Sequence, residues 1–184
     1  RHLGWNFLDS GALYRLVALS AIKHNIGTTE EQALGRLTRE LDVTFVTDGD
    51  EPAILLDGQD VTGSLRTEQV SAFSSCIAAI PVVRAGLLER QRAFRRKPGL
   101  VADGRDMGTV VFPDAQLKVF LTASVQERAK RRYKQLKEKG MGANIAALLQ
   151  DIQARDERDT QRSTAPLQQA PGAILLDTTA LNIE

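Results

Sequence analysis

The chain has 184 residues, 42% hydrophobic and 26% charged, with a formal net charge of +1. That length suits one sizeable core with small appendages, and the near-zero charge gives no whole-protein field for nucleic acid or a membrane surface. Cys76 is the only cysteine, so no internal disulfide can form, and no apolar run reaches membrane-spanning length. A cytoplasmic protein is the expectation.

In chain order, WNFLD (5–9) reads as a short strand and residues 12–24 as a helix with Leu13, Leu16, Val17 and Ile22 facing inward. Asp9 and Ser10 stand at its N-cap, followed by Gly11. A helical stretch at about 29–41 precedes two short strands, DVTFVT (42–47) and AILLDG (53–58), separated by the turn cluster DGDEP. Residues 67–96 read as helical, which makes this middle section an inserted antiparallel sheet with its own helices. GLVA (99–102), LKVFLTA (117–123) and AILLDTT (173–179) read as buried parallel strands. Between the last two lie a basic helix, VQERAKRRYKQLKEKG, and a second helix over about 144–162. Alternating strands and helices predict an α/β parallel sheet, interrupted by one β-rich and one helical insertion.

Chemistry gathers at three places. In an open parallel sheet, ligands bind outside the carboxyl ends of the strands. Two such ends read FLDSGALYR and LVADGRDMGT. Arg15 and Arg105 offer planar forks for phosphate oxygens, and Asp103 could hold magnesium through water. Helix capping and an internal Asp–Arg pair explain either turn alone equally well. The third place is the second helix, where the apolar stripe Ile145, Leu148, Leu149 and Ile152 continues in register as Arg155, Asp159 and Arg162. A solvated helix end with weak i,i+3 and i,i+4 pairs is the alternative there. The basic helix concentrates Arg128, Lys130, Arg131, Arg132, Lys134, Lys137 and Lys139, a solvated face or a flap over a triphosphate. His2 and His24 lie away from these motifs, which argues against a histidine base or a zinc site.

The strings LDSGALYR, ERQRAFRRKPGLVADGRDMGTVVFPDA, ERAKRRYKQL and RDERDTQRSTAPL, in this order, resemble the bacterial cytidylate kinases over essentially the whole chain. The resemblance implies a P-loop NTPase-like parallel sheet with helices on both faces, a β-rich nucleotide-binding insertion and a helical lid. It divides the chain into core (1–38), CMP-binding domain (39–97), core (98–124), lid and following helix (125–165) and core (166–184). The implied activity is transfer of the γ-phosphoryl group of ATP to CMP or dCMP, with Mg2+, by a cytoplasmic monomer that binds neither nucleic acid nor membrane.

Roles follow position by position from the resemblance. Arg15 and Arg105 bind the acceptor phosphate, with Ser10 and Tyr14 lining the same pocket. Ser75, Arg84 and Asp106 read the cytosine ring. Asp159 meets sugar hydroxyls with Arg155 beside it, and Arg162 returns to the phosphates. Arg131 belongs to the lid over ATP, and Asp103 sits near magnesium, with Arg105, Arg162 and Asp103 as the catalytic set. The resemblance departs at one place. The family carries G-x-x-x-x-G-K-[ST], and none of the 14 glycines here is followed by lysine. The family places that loop, its central strand and a helix, about thirty residues, just before the point where this chain starts. A family helix also follows Glu184. The 184 residues alone are therefore expected to carry the acceptor site and lid without the phosphate cradle, and not to transfer phosphate at a useful rate. Two other readings stand beside this one. One is a kinase of UMP or AMP, disfavoured by the insertion and the Ser75/Arg84/Asp106 set. The other is a non-catalytic nucleotide- or RNA-binding module on the basic helix, which steep loss of binding with salt would reveal.

Overall fold

A computed structural model describes residues 3–46, 53–138, 140 and 142–182. The chain divides into two compact units, Arg1–Met107 and Gly108–Glu184.

In the first unit, β1 (Asn6–Asp9) pairs in parallel with β5 (Leu100–Asp103), bringing Asp9 level with Asp103 at the carboxyl ends. Helix α1 (Ser10–Lys23) starts directly at the end of β1, two residues earlier than its apolar spacing predicts. Leu13, Leu16 and Val17 are fully buried, while Ile22 is only partly covered. Helix α2 (Glu31–Glu40) follows, then an antiparallel sheet of β2 (Val43–Val46), β3 (Ala53–Leu56) and β4 (Gln59–Asp60). The expected turn cluster at 48–52 lies outside the described residues.

Where the sequence reads as one helical stretch over 67–96, the structure has two helices. These are α3 (Glu68–Ile77), capped by Thr67, and α4 (Pro81–Arg92). The break comes from Ile80–Pro81: the residue before a proline is forced extended, and Ile80 has ψ 119°. Pro81 then opens α4, where no N–H is needed. Helix α1 packs against α3, and α2 against α4. At the start of β5, Gly99 lies against the indole of Trp5, where an added Cβ would come within 2.5 Å of the ring.

In the second unit, β6 (Val119–Thr122) pairs in parallel with β7 (Ile174–Asp177). Helices α5 (Val125–Glu138) and α6 (Ile145–Gln161) pack on each other. The expectation that the parallel strands are buried does not hold. Val101, Val119, Leu121 and Ile174 to Leu176 are exposed, because each parallel pair forms a two-stranded sheet that covers little of either strand.

Candidate active site

The first cluster grows from the junction of β1 and α1. With no loop between them, Asp9 stays extended and turns its carboxylate back over the helix start. It accepts from the Ala12 backbone N–H at 2.9 Å, as an N-cap. Its other oxygen accepts from Arg15 Nη2 at 2.9 Å, so the cap also aims the first arginine of the site. Next to it, Ser10 is buried and its hydroxyl accepts from Gln91 Nε2 of α4 at 2.8 Å.

The charged turn after β5 distributes its side chains unequally. Asp103 is exposed at the strand end, Arg105 is half-buried and Asp106 is buried. Asp106 forms a charge-assisted hydrogen bond with Arg84 Nη2 of α4, the two side chains only 4% and 9% exposed. Arg84 also donates to the Ala78 carbonyl at 3.0 Å, and its guanidinium carbon lies 5.9 Å from the centre of the Tyr14 ring. The structure therefore brings Arg84, Asp106 and Tyr14 together in one buried group. Ser75 is buried on α3, which packs against the α1 that carries Tyr14.

In the second unit, the charged end of the α6 stripe is covered at Asp159 and Arg162, while Arg155 is partly exposed. Asp159 and Arg162 have side chains 5% and 4% exposed, which rules out a solvated helix end. Arg162 Nη1 stands 3.6 Å from Asp159 Oδ1, and Arg155 Nε stands 3.8 Å from Asp159 Oδ2. Arg162 Nε donates to the Ala165 carbonyl at 2.6 Å, so the guanidinium is fixed from the chain that follows the helix. Two arginines of the basic helix are turned inward. Arg128 grips both carboxylate oxygens of Asp156 on α6. Arg131 bonds to Glu127 Oε1 at 3.0 Å, to Thr178 Oγ1 at 3.1 Å and to the carbonyls of Thr178 and Leu181, at 2.5 and 3.1 Å. Sequence reasoning missed Gln91 and the Arg128–Asp156 fork. Gln91 lies inside a run of arginines, and Asp156 sits one residue after Arg155, so their strings held the only signal.

No group of three or more metal-ligating side chains occurs among the described residues. Magnesium keeps most of its waters and needs one or two carboxylates plus substrate phosphates, so an exposed Asp103 that enters no ion pair among the described residues suits it chemically. Two exposed turns show shifted carboxyls. The side-chain hydroxyl and then the backbone N–H of Thr62 hold Asp60 below the ordinary carboxylate range, and Thr179 does the same to Asp177.

The family model for cytidylate kinase matches residues 1–184. The chain is 61% identical to a cytidylate kinase of Stutzerimonas stutzeri over 99% of its length and 80% of that protein's. It is 61% identical to one of Pseudomonas aeruginosa and 60% identical to one of Azotobacter vinelandii, in each case over 100% of this chain and 81% of the relative. The family match, together with parallel strands flanked by helices, places the chain among α/β phosphotransferases of the P-loop NTPase-like class. Within that class, this chain belongs to the cytidylate kinase family.

Proposed function

We propose that this protein transfers the γ-phosphoryl group of ATP to CMP and dCMP, giving CDP and dCDP. The observation that carries the reading is the buried Arg84–Asp106 pair under Tyr14, set beside a strand-end turn that also bears Arg105. A buried charged pair of this kind is costly to keep in a fold unless it has work to do. Cytosine presents acceptors at N3 and O2 and a donor at its exocyclic amine. A guanidinium, a carboxylate and the Ser75 hydroxyl supply the complementary groups.

Arg15 and Arg105 take the acceptor phosphate, with Ser10 and Tyr14 lining that pocket. Asp159 meets the sugar hydroxyls with Arg155 beside it, Arg162 serves the phosphates, and Arg131 serves ATP. Residues 39–97 are the nucleotide-binding insertion and 125–165 the lid with its following helix. When bound, magnesium neutralises charge on the phosphates, with Asp103 holding it through water. The protein's own part is positioning and fixed positive charge, because phosphoryl transfer asks little covalent chemistry of it. We place the activity in a monomer in the cytoplasm, on its single cysteine and soluble substrates; among the described residues no single helix is long and apolar enough to cross a membrane.

An RNA-binding module on the basic helix is the weaker reading, since Arg128 and Arg131 are committed to internal partners. The test is ADP formation by the full enzyme with CMP, dCMP, UMP and AMP as acceptors. CMP and dCMP are expected to lead, and Asp106→Asn to narrow the preference for CMP over UMP. A preference unchanged in a folded Asp106→Asn enzyme would remove Asp106 from base reading.

A further inference from the structure

Gln91 is not among the groups assigned to the nucleotide, yet it is among the most deeply buried polar residues described, 1% exposed. A buried primary amide is costly unless its groups are used. Its Nε2 donates to the Ser10 hydroxyl at 2.8 Å, joining α4 to the first residue of α1 across 81 positions of sequence. Ser10 is itself only 3% exposed. The backbone of the charged turn runs close beside its Cβ, and a side chain on Gly104 would come within 2.9 Å of it. Ser10 is thus held by the helix start, by Gly104 and by the Gln91 amide.

A serine hydroxyl has one hydrogen and two lone pairs. Because Gln91 donates to it, one lone pair is occupied and the hydrogen is left to be given elsewhere. We infer that Gln91 is a positioning residue that makes Ser10 an obligate hydrogen-bond donor toward the nucleotide monophosphate, selecting an acceptor oxygen of the ligand. This rests on the assignment of Ser10 to the acceptor pocket. Gln91 touches no substrate; it acts by fixing where the Ser10 proton points. The amide serves this purpose where a carboxylate could not, since a carboxylate only accepts and would draw the hydrogen to itself.

Three variants of the full enzyme test it: Ser10→Ala, Gln91→Glu and Gln91→Met, each with its melting temperature. A donor lost from a buried polar contact is expected to raise the KM for CMP about tenfold. The KM for ATP should stay within about twofold and kcat should fall less than the KM rises. Gln91→Glu, nearly the same size as the native residue, should match Ser10→Ala. The Ser10→Ala/Gln91→Met double variant should be no worse than either single, because both remove the same hydrogen bond to the ligand. Wild-type KM for CMP in folded Gln91→Glu, or additive losses in the double variant, would reduce Gln91 to a packing residue. Ser10→Ala with unchanged KM overturns the inference without any change at position 91. The wild-type enzyme separates the two readings: failure to use CMP at all counts against the proposed function, whereas normal CMP use with insensitive variants counts against Gln91 alone.

Discussion

Two acid–arginine pairs, one in each unit, are buried to the same degree and built differently. Arg84 and Asp106 come from elements 22 positions apart in sequence and are in direct hydrogen-bonded contact. Asp159 and Arg162 are neighbours on a single helix end, yet their charged atoms stand 3.6 Å apart, at ion-pair range but beyond a normal hydrogen bond. The first pair joins α4 to the turn after β5, so its geometry depends on tertiary packing. The second is set by helix periodicity, with Arg162 fixed at its Nε by the Ala165 carbonyl. Equal burial therefore does not mean equal construction: one pair is fixed by tertiary packing, the other by helix spacing.

The largest effect should come from breaking the locked pair on one side. Arg84→Met takes the guanidinium away from a buried carboxylate and should cost about 3–5 kcal/mol in denaturant unfolding. Replacing both members by apolar residues of similar volume should recover much of that loss while abolishing discrimination of the base. If the single and double variants unfold alike, the pair contributes nothing as a pair.

Arg162→Met should act on turnover instead. Losing one fixed donor to the transferring group typically costs roughly 3 kcal/mol in transition-state stabilisation, about a hundredfold in kcat. Asp159→Ala should mainly raise the KM and shift the ratio of CMP to dCMP use. Steady-state kinetics with both acceptors would show the split, and wild-type kinetics in both variants would make this pair a structural one.

A smaller effect is expected where α5 meets α6. Arg128→Ala removes a two-pronged grip on a partly exposed Asp156 and should cost about 1–2 kcal/mol of stability. Thermal melts would measure it, and Arg128→Lys should restore only part, because an ammonium cannot match both oxygens.

The smallest concerns pH. Asp60 and Asp177 have folded pKa values below the ordinary carboxylate value of 3.8. Their contribution to stability is therefore present above that value and disappears as pH falls through the lowered folded pKa. Carboxyl titration by NMR should show both moving up toward the ordinary value in Thr62→Ala and Thr179→Ala, with little change in the neutral-pH melt.

Much of this was legible in the sequence, for local reasons. The cap at Asp9 and the buried Leu13, Leu16 and Val17 follow from spacing alone, as does the continuation of an apolar stripe into Arg155, Asp159 and Arg162. Spacing could not tell a solvated stripe from a covered one; burial decided that. The break before Pro81 carried a readable signal that the surrounding helical pattern masked. Gln91 and the Arg128–Asp156 fork were not legible, because their partners lie 81 and 28 positions away and charged or polar residues in a basic run read as surface.

The contact between Trp5 and Gly99 has a practical consequence. Trp5 is the only tryptophan of the chain, half-exposed, with its indole against the start of β5. Its emission is a local probe of the pairing of β1 with β5. An unfolding curve followed by tryptophan fluorescence thus reports the surroundings of Trp5, and a second observable, such as far-ultraviolet circular dichroism, which sums the helices α1 to α6 of both units, tells whether the rest melts with them.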